Sequence, residues 1–129
     1  GCLEQYASGT ALVREAAQLL GRSVERDELR ELLAAGDPQA REALEFVARH
    51  IGRALVTLVA VLDPDVIVLG GGVSDAGAAL TTPVHEEFAR HYGPYSQRPV
   101  PRIVIASMGN TAGVVGAAAL ARSTLGEAG

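Results

Sequence analysis

Three consecutive glycines, Gly70-Gly71-Gly72, follow the apolar run Val66-Ile67-Val68-Leu69 and precede Ser74-Asp75, where a helix is expected to begin. A glycine-rich turn between a buried strand and a helix can take a phosphate or a nucleotide. Missing side chains let a ligand reach the backbone, and the helix N-terminus offers free N–H groups. Two common versions are excluded. The dinucleotide fingerprint needs glycine at its sixth position, which counted from Gly70 is Asp75. The P-loop needs a lysine, and the chain has none. A tight βα turn whose glycines only permit unusual dihedrals explains the same residues, so the run alone leaves ligand binding open.

Other reactive side chains form no recognisable constellation. Cys2 is the single cysteine, so no internal disulfide is possible and the redox compartment stays open. Glu4 sits where a first-turn carboxylate favours a helix N-terminus. His50 falls at the edge of an apolar helix face, where packing is its expected role. His85 and His91 are six residues apart, which turns them away from each other on a helix, and both are expected at the surface. Neither His-Glu-x-x-His nor Gly-x-Ser-x-Gly occurs. The acidic residues, such as Glu25, Asp27, Glu28 and Glu31, read mainly as solvated helix faces.

The elements that must hold these residues can be read from caps and periodicity. Residues 3–20 read as helical with a break at Ser8-Gly9, and Leu12, Ala16, Leu19 and Leu20 form a stripe stopped by Gly21. A polar helix is expected from about Val24 to Ala35, with Leu29, Leu32 and Leu33 inward. The strongest signal comes next. Asp37 is a good N-cap, Pro38 suits the first helical position, and Leu44, Val47, Ala48, Ile51, Leu55, Leu58, Val59 and Leu62 share one face. This predicts a helix roughly 37 Å long. Asp63-Pro64-Asp65 ends it, and Val66–Leu69 reads as a strand buried on both faces, as in a parallel sheet. A helix from Ser74 or Asp75 to about His91, a loop over 93–101, a strand over Arg102–Ala106 and a helix from about Asn110 to Ser123 complete the chain.

The order strand, helix, strand over 66–106 makes one βαβ unit, expected to cross over right-handed. Two parallel strands are too few for a stable sheet, so the rest must come from elsewhere. The fold class is therefore α/β, helix-rich, with an incomplete sheet. At 129 residues, 48% apolar but 4% aromatic and without Trp, the chain suits one domain cored by Ala, Val, Leu and Ile. A net charge of −4 without an arginine stripe gives no sign of nucleic-acid binding. The longest apolar stretches, Ala54–Leu62 and Ala112–Ala121, fall short of the roughly 20 residues that cross a bilayer. The start, Gly1-Cys2-Leu3-Glu4, has neither a signal peptide nor an initiator Met, and the chain is expected to be a piece of a longer protein.

Two stretches carry a resemblance. Leu62-Asp63-Pro64-Asp65-Val66-Ile67-Val68-Leu69-Gly70-Gly71-Gly72-Val73-Ser74 resembles the adenosine segment of ROK-family sugar kinases. Gly1-Cys2-Leu3-Glu4-Gln5-Tyr6-Ala7-Ser8-Gly9 resembles the end of their zinc motif, Cys-x-Cys-Gly-x-x-Gly-Cys, and its continuation through Glu to Ser-Gly. The closing run Gly109–Ala118 is similar too, and its small residues suggest close helix-to-sheet packing.

The resemblance implies the C-terminal part of an actin/hexokinase-like, ribonuclease H-like fold. It divides the chain into a helical segment, 1–62, and a βαβα adenosine-binding part, 63–129. Gly70, Gly71, Gly72, Val73 and Ser74 would take ATP, supplied with Mg, and Glu4 would accept a sugar hydroxyl, which suits a carboxylate's four acceptor sites. Cys2 would be one of four ligands to a structural zinc, its partners lying upstream, so none is expected on Cys2 alone. The implied whole protein is a cytoplasmic, homo-oligomeric ATP-dependent hexose kinase, with glucose phosphorylated at the 6-hydroxyl as the first expectation. N-acetylmannosamine kinase and a sugar-responsive ROK repressor are the alternatives, and an assembly module without its own ligand is a third. The family's catalytic Asp and its Asp-x-Gly-x-Thr-like phosphate motif match nothing here, so this chain alone is expected to be inactive.

Overall fold

A computed structural model describes residues 2–93 and 99–126. Helix α1 (Gly9–Leu20) begins where Ser8 accepts a hydrogen bond from the Ala11 amide at 3.1 Å and ends at Gly21 in the left-handed region, φ 66°. A short 3-10 turn, Leu3–Gln5, precedes it. Helix α2 (Arg26–Ala35) ends in the same way at Gly36, φ 80°. Helix α3 (Pro38–Leu62) starts on Asp37, whose side chain accepts from the Ala40 amide at 2.9 Å, and runs the predicted length.

Strand β1 (Val66–Leu69) pairs in parallel with β2 (Arg102–Ile105), Val66 opposite Arg102 and Leu69 opposite Ile105. Between them lies α4 (Ala78–Tyr92). Helix α5 (Ala112–Gly126) follows a 3-10 turn at Gly109–Thr111. The architecture is the expected helix-rich α/β arrangement with a two-stranded parallel sheet. Positions 94–98 of the expected loop lie outside the described residues.

The core sits around α3. Its buried residues Ala40, Ala43, Leu44, Val47, Ala48, Leu55 and Val59 pack against Ala11, Leu12 and Ala16 of α1, Leu29 of α2 and Leu80, Val84 and Phe88 of α4. Small residues let α3 and α4 come close, and the rings of Phe88 and Tyr92 stack at 4.8 Å.

Four expectations are corrected. The buried face of α3 stops at Val59, and Leu58 and Leu62 are exposed because no described element covers the last turn. Strand β1 is not buried on both faces. Ile67, Leu69, Ile103 and Ile105 join the core, but Val66, Val68 and Val104 on the opposite face are exposed. The third concerns α4, which begins at Ala78 rather than Ser74 or Asp75. The Ser74 hydroxyl donates to the Gly71 carbonyl at 2.6 Å, so it closes the turn instead of capping the helix. Finally, α5 does not pack closely on the sheet: each of its side chains from Ala112 to Ser123 is exposed.

Candidate functional site

The glycine turn forms one wall of a cavity of about 210 Å³. Gly9, Leu12 and Val13 of α1 form a second wall, and Arg26, Leu29, Arg30, Leu33 and Ala34 of α2 form a third. Gly72, Val73, Asp75, Ala76 and Ala79 close it from the turn side. The sequence places Leu12 and Leu29 here for a local reason. Each lies on the inward, buried stripe of its helix.

Gly71 has φ +87°, a conformation that favours glycine, and nothing lies within 4 Å of where its Cβ would be. That backbone is open to an incoming group. The buried Ser74, 3% exposed, fixes the turn through its bond to Gly71. Of the expected nucleotide residues, Gly72 and Val73 line the cavity and Gly71 and Ser74 shape its wall, whereas Gly70 packs beside Ala106.

Charge at this site is asymmetric. Arg30 is held by Asp27 at 3.2 Å and by Asp75 at 3.3 Å, tying α2 to the turn. Arg26 lies against Gly9 and Gly72 and has no hydrogen-bond or ion-pair partner among the described residues. Sequence reasoning missed both arginines, since they read as solvated positions on a polar helix. Their four-residue spacing, which puts both on one face, was the available signal.

Glu4 is exposed in the Leu3–Gln5 turn, four residues before Ser8 caps α1. That segment is anchored from both sides. An Arg14 guanidinium donates to the Gln5 carbonyl at 2.6 Å, and the Tyr6 ring stacks on His50 at 5.1 Å. His50 also donates through Nδ1 to the Phe46 carbonyl at 2.8 Å, the packing role expected of it. Gly9, at the start of α1, approaches the Val73 side chain, so the segment bearing Glu4 leads into the cavity wall. Cys2 is exposed, and no three His, Cys, Asp or Glu side chains converge as a metal site among the described residues.

A second charged cluster, on the seam between α3 and α4, was not foreseen. Glu87 is 1% exposed, and its carboxylate accepts from Arg53 at 2.6 Å, Arg90 at 2.6 Å and His91 at 3.0 Å. The Arg53 hydrogen bond holds the Glu87 carboxyl below its ordinary range, against the opposing effect of burial. His91 and His85 are at the surface as expected, and both are engaged, His85 donating to the Ile103 carbonyl at 3.2 Å. The buried carboxylate is satisfied by three donors from within the fold, so this cluster reads as structural. Elsewhere Arg22 and Glu28 meet at 2.6 Å, which raises the arginine and lowers the carboxyl.

The arrangement at the cavity can take a flat, mostly apolar group against Leu12, Leu29 and Val73, with backbone and one cation at its edge. Comparison with known proteins bears on which group. The sequence model described as the ROK family matches residues 1–124. Glucokinase of Streptomyces coelicolor is 38% identical over 95% of this chain and 44% of its own length. N-acetyl-D-glucosamine kinase of Escherichia coli is 34% identical over 93% of this chain and 39% of its own length. Among solved structures, a ROK family glucokinase from Streptomyces griseus in complex with glucose and AMPPNP superposes with a TM-score of 0.86, at 38% identity, covering 95% of this chain and 45% of that one. The ROK hexokinase from Thermus thermophilus gives 0.74 at 38% identity, covering 91% and 39%. The chain thus spans less than half the length of these relatives.

Proposed function

The chain belongs to the ROK family, and from that premise we propose that it is the C-terminal part of an ATP-dependent hexose kinase acting on the 6-hydroxyl of glucose. The observation that carries this reading is the cavity between α1, α2 and the glycine turn. It is largely apolar inside, bounded by the turn at Gly72, and joined through Gly9 to the segment bearing Glu4. The Streptomyces griseus relative holds glucose and an ATP analogue. Its likeness supports carrying both ligands to this protein.

In this reading Leu12, Leu29 and Val73 exclude water from one end of the nucleotide, and Gly71 and Gly72 admit it against main chain. Ser74 holds the turn so that no ordering is needed when ATP, with Mg on its phosphates, arrives. Glu4 accepts a sugar hydroxyl and orients the hexose. The proton acceptor and the first phosphate loop belong to the segment upstream, and positioning by both parts supplies the rate. Cys2 alone offers one thiolate where structural zinc takes four ligands. We propose that upstream residues complete that site, and no catalytic step runs through it. Homo-oligomerisation and a cytoplasmic location are part of the same proposal. No helix among the described residues is long and apolar enough to cross a membrane.

A second reading, an N-acetylhexosamine kinase, is favoured by the N-acetylglucosamine kinase relative. A coupled phosphorylation assay on the polypeptide with its upstream segment decides between them. Turnover with ATP is expected to be highest with glucose, ahead of mannose, N-acetylglucosamine and N-acetylmannosamine. Preference for an acetylated sugar moves the assignment to the second reading. No turnover with any sugar overturns the kinase in favour of a sugar-responsive repressor. The chain by itself is expected to be inactive.

A further inference from the structure

We infer that Arg26 is a nucleotide-contacting residue that lays its guanidinium on the purine face of ATP, an inference that rests on the cavity being the nucleotide half of the kinase site. Its position is specific. Nη2 lies 3.7 Å from where a Cβ on Gly9 would sit, and Nη1 lies 3.8 Å from the corresponding point at Gly72. The guanidinium therefore spans two glycines from different elements, at the edge of a cavity otherwise walled by Leu12, Val13, Leu29, Leu33 and Val73.

What separates Arg26 from Arg30, one turn further along α2, is occupation. Arg30 is neutralised by Asp27 and Asp75. Arg26 has no partner among the described residues, although it carries five donors and a flat, weakly hydrated face suited to stacking. A cation without a carboxylate, beside an apolar slot, is matched by a π-face in that slot.

The same carboxylates decide which part of the nucleotide it meets. Asp27 and Asp75 converge on the α2 wall beside Arg26. Balanced against Arg26 and Arg30 they leave that wall without net charge, so nothing there draws in a triphosphate, whereas the apolar slot suits a neutral purine. The phosphates therefore run away from α2, and the base lies under Arg26.

The test uses the full-length kinase and its Arg26→Ala and Arg26→Lys variants. Arg26 is exposed and unpaired, so unchanged thermal midpoints are expected and serve as the folding control. Arg26→Ala is expected to raise the KM for ATP about tenfold, the loss of one partly desolvated cation–π contact. The kcat and the KM for glucose should stay within about twofold, and lysine should restore part of the affinity. Calorimetric titration with adenosine, AMP and ATP should show the same fold loss for all three. Unchanged ATP affinity in a variant of an ATP-binding kinase overturns the contact. A loss that grows from adenosine to ATP assigns Arg26 to the phosphates and overturns its place on the base. If the wild type binds no adenine nucleotide, the reading of the cavity itself fails.

Discussion

Two helix junctions in this protein are built on opposite terms. Where α3 meets α4, a Cβ on Gly52 would come within 2.9 Å of both the Val84 carbonyl and the Glu87 Cβ, and the charges of Glu87 are fully matched. Where α2 meets the glycine turn, there is a cavity, a glycine with open space around it, and an arginine without a partner. The first junction is close-packed at Gly52 and its buried carboxylate is fully paired, although a polar cleft lined by Glu45, Arg49, Pro83 and Arg90 opens beside it. The second has an apolar void that no side chain occupies, edged by an exposed arginine, and ligand pockets combine apolar walls with a few polar groups in that way. Polar residues thus mark structure in one place and, in the proposed reading, ligand in the other.

That contrast breaks hardest at Gly52. Gly52→Val sets branched carbon against backbone that cannot rotate aside, and should cost about 3 kcal/mol, read from chemical denaturation of the chain. Should the variant unfold at the wild-type midpoint, α3 and α4 do not meet as closely as described.

Glu87 comes next. Replacing it by Ala leaves Arg53 and Arg90 without their carboxylate, but both arginines are more than half exposed and can turn to water. The expected cost is about 2 kcal/mol, below that of a fully buried pair. The pH dependence has a definite sign. A carboxyl whose folded pKa is depressed stabilises fully above its unfolded pKa, about 4.3, and that contribution is lost as pH falls through the folded value. Glu87→Gln should therefore be less stable than wild type at pH 7, with the gap shrinking below about pH 4. A gap that stays constant down to acid unfolding would remove the ionised Glu87 from the account of this seam.

The sequence revealed these regions unequally. Helix α3 was legible end to end, because Asp37, Pro38 and the 3.6-residue stripe all act locally. Strand β1 was legible in extent but not in environment, since four apolar residues in a row do not reveal how many layers cover them. Glu87 was not legible as a buried carboxylate, for its main partner Arg53 lies 34 residues away. The hint was Gly52, small in the middle of an apolar face. At the cavity the glycines were visible, but the arginines of α2 were not, because only the fold carries that helix over the turn. Ser74 misled for a related reason: a hydroxyl near a helix start can close a turn as readily as cap a helix.

Smaller effects are expected at the glycine turn. Gly71 adopts φ +87° with empty space around its Cβ position, so Gly71→Ala pays only for the backbone, about 1 kcal/mol. The melting curve checks this. A much larger loss would mean that the turn is packed, like the α3–α4 seam, and not open.

Gly72 gives the sharpest test because its structural cost should be the least. Its φ lies outside the left-handed range, and an added Cβ would make only an ordinary contact, 3.8 Å from Arg26 Nη1. Gly72→Ala should therefore change stability by less than about 0.5 kcal/mol. The same methyl group would stand in the cavity wall where a ligand meets main chain, so nucleotide affinity should fall severalfold in calorimetric titration. If stability falls and affinity holds, the glycines serve only to make a tight turn, and the cavity loses its claim to the nucleotide. If affinity falls while the melting curve is unmoved, the residue is free in the fold and constrained only by what binds. Gly52 and Glu87 on the α3–α4 seam cannot behave that way, because a replacement at either is felt first by the fold itself.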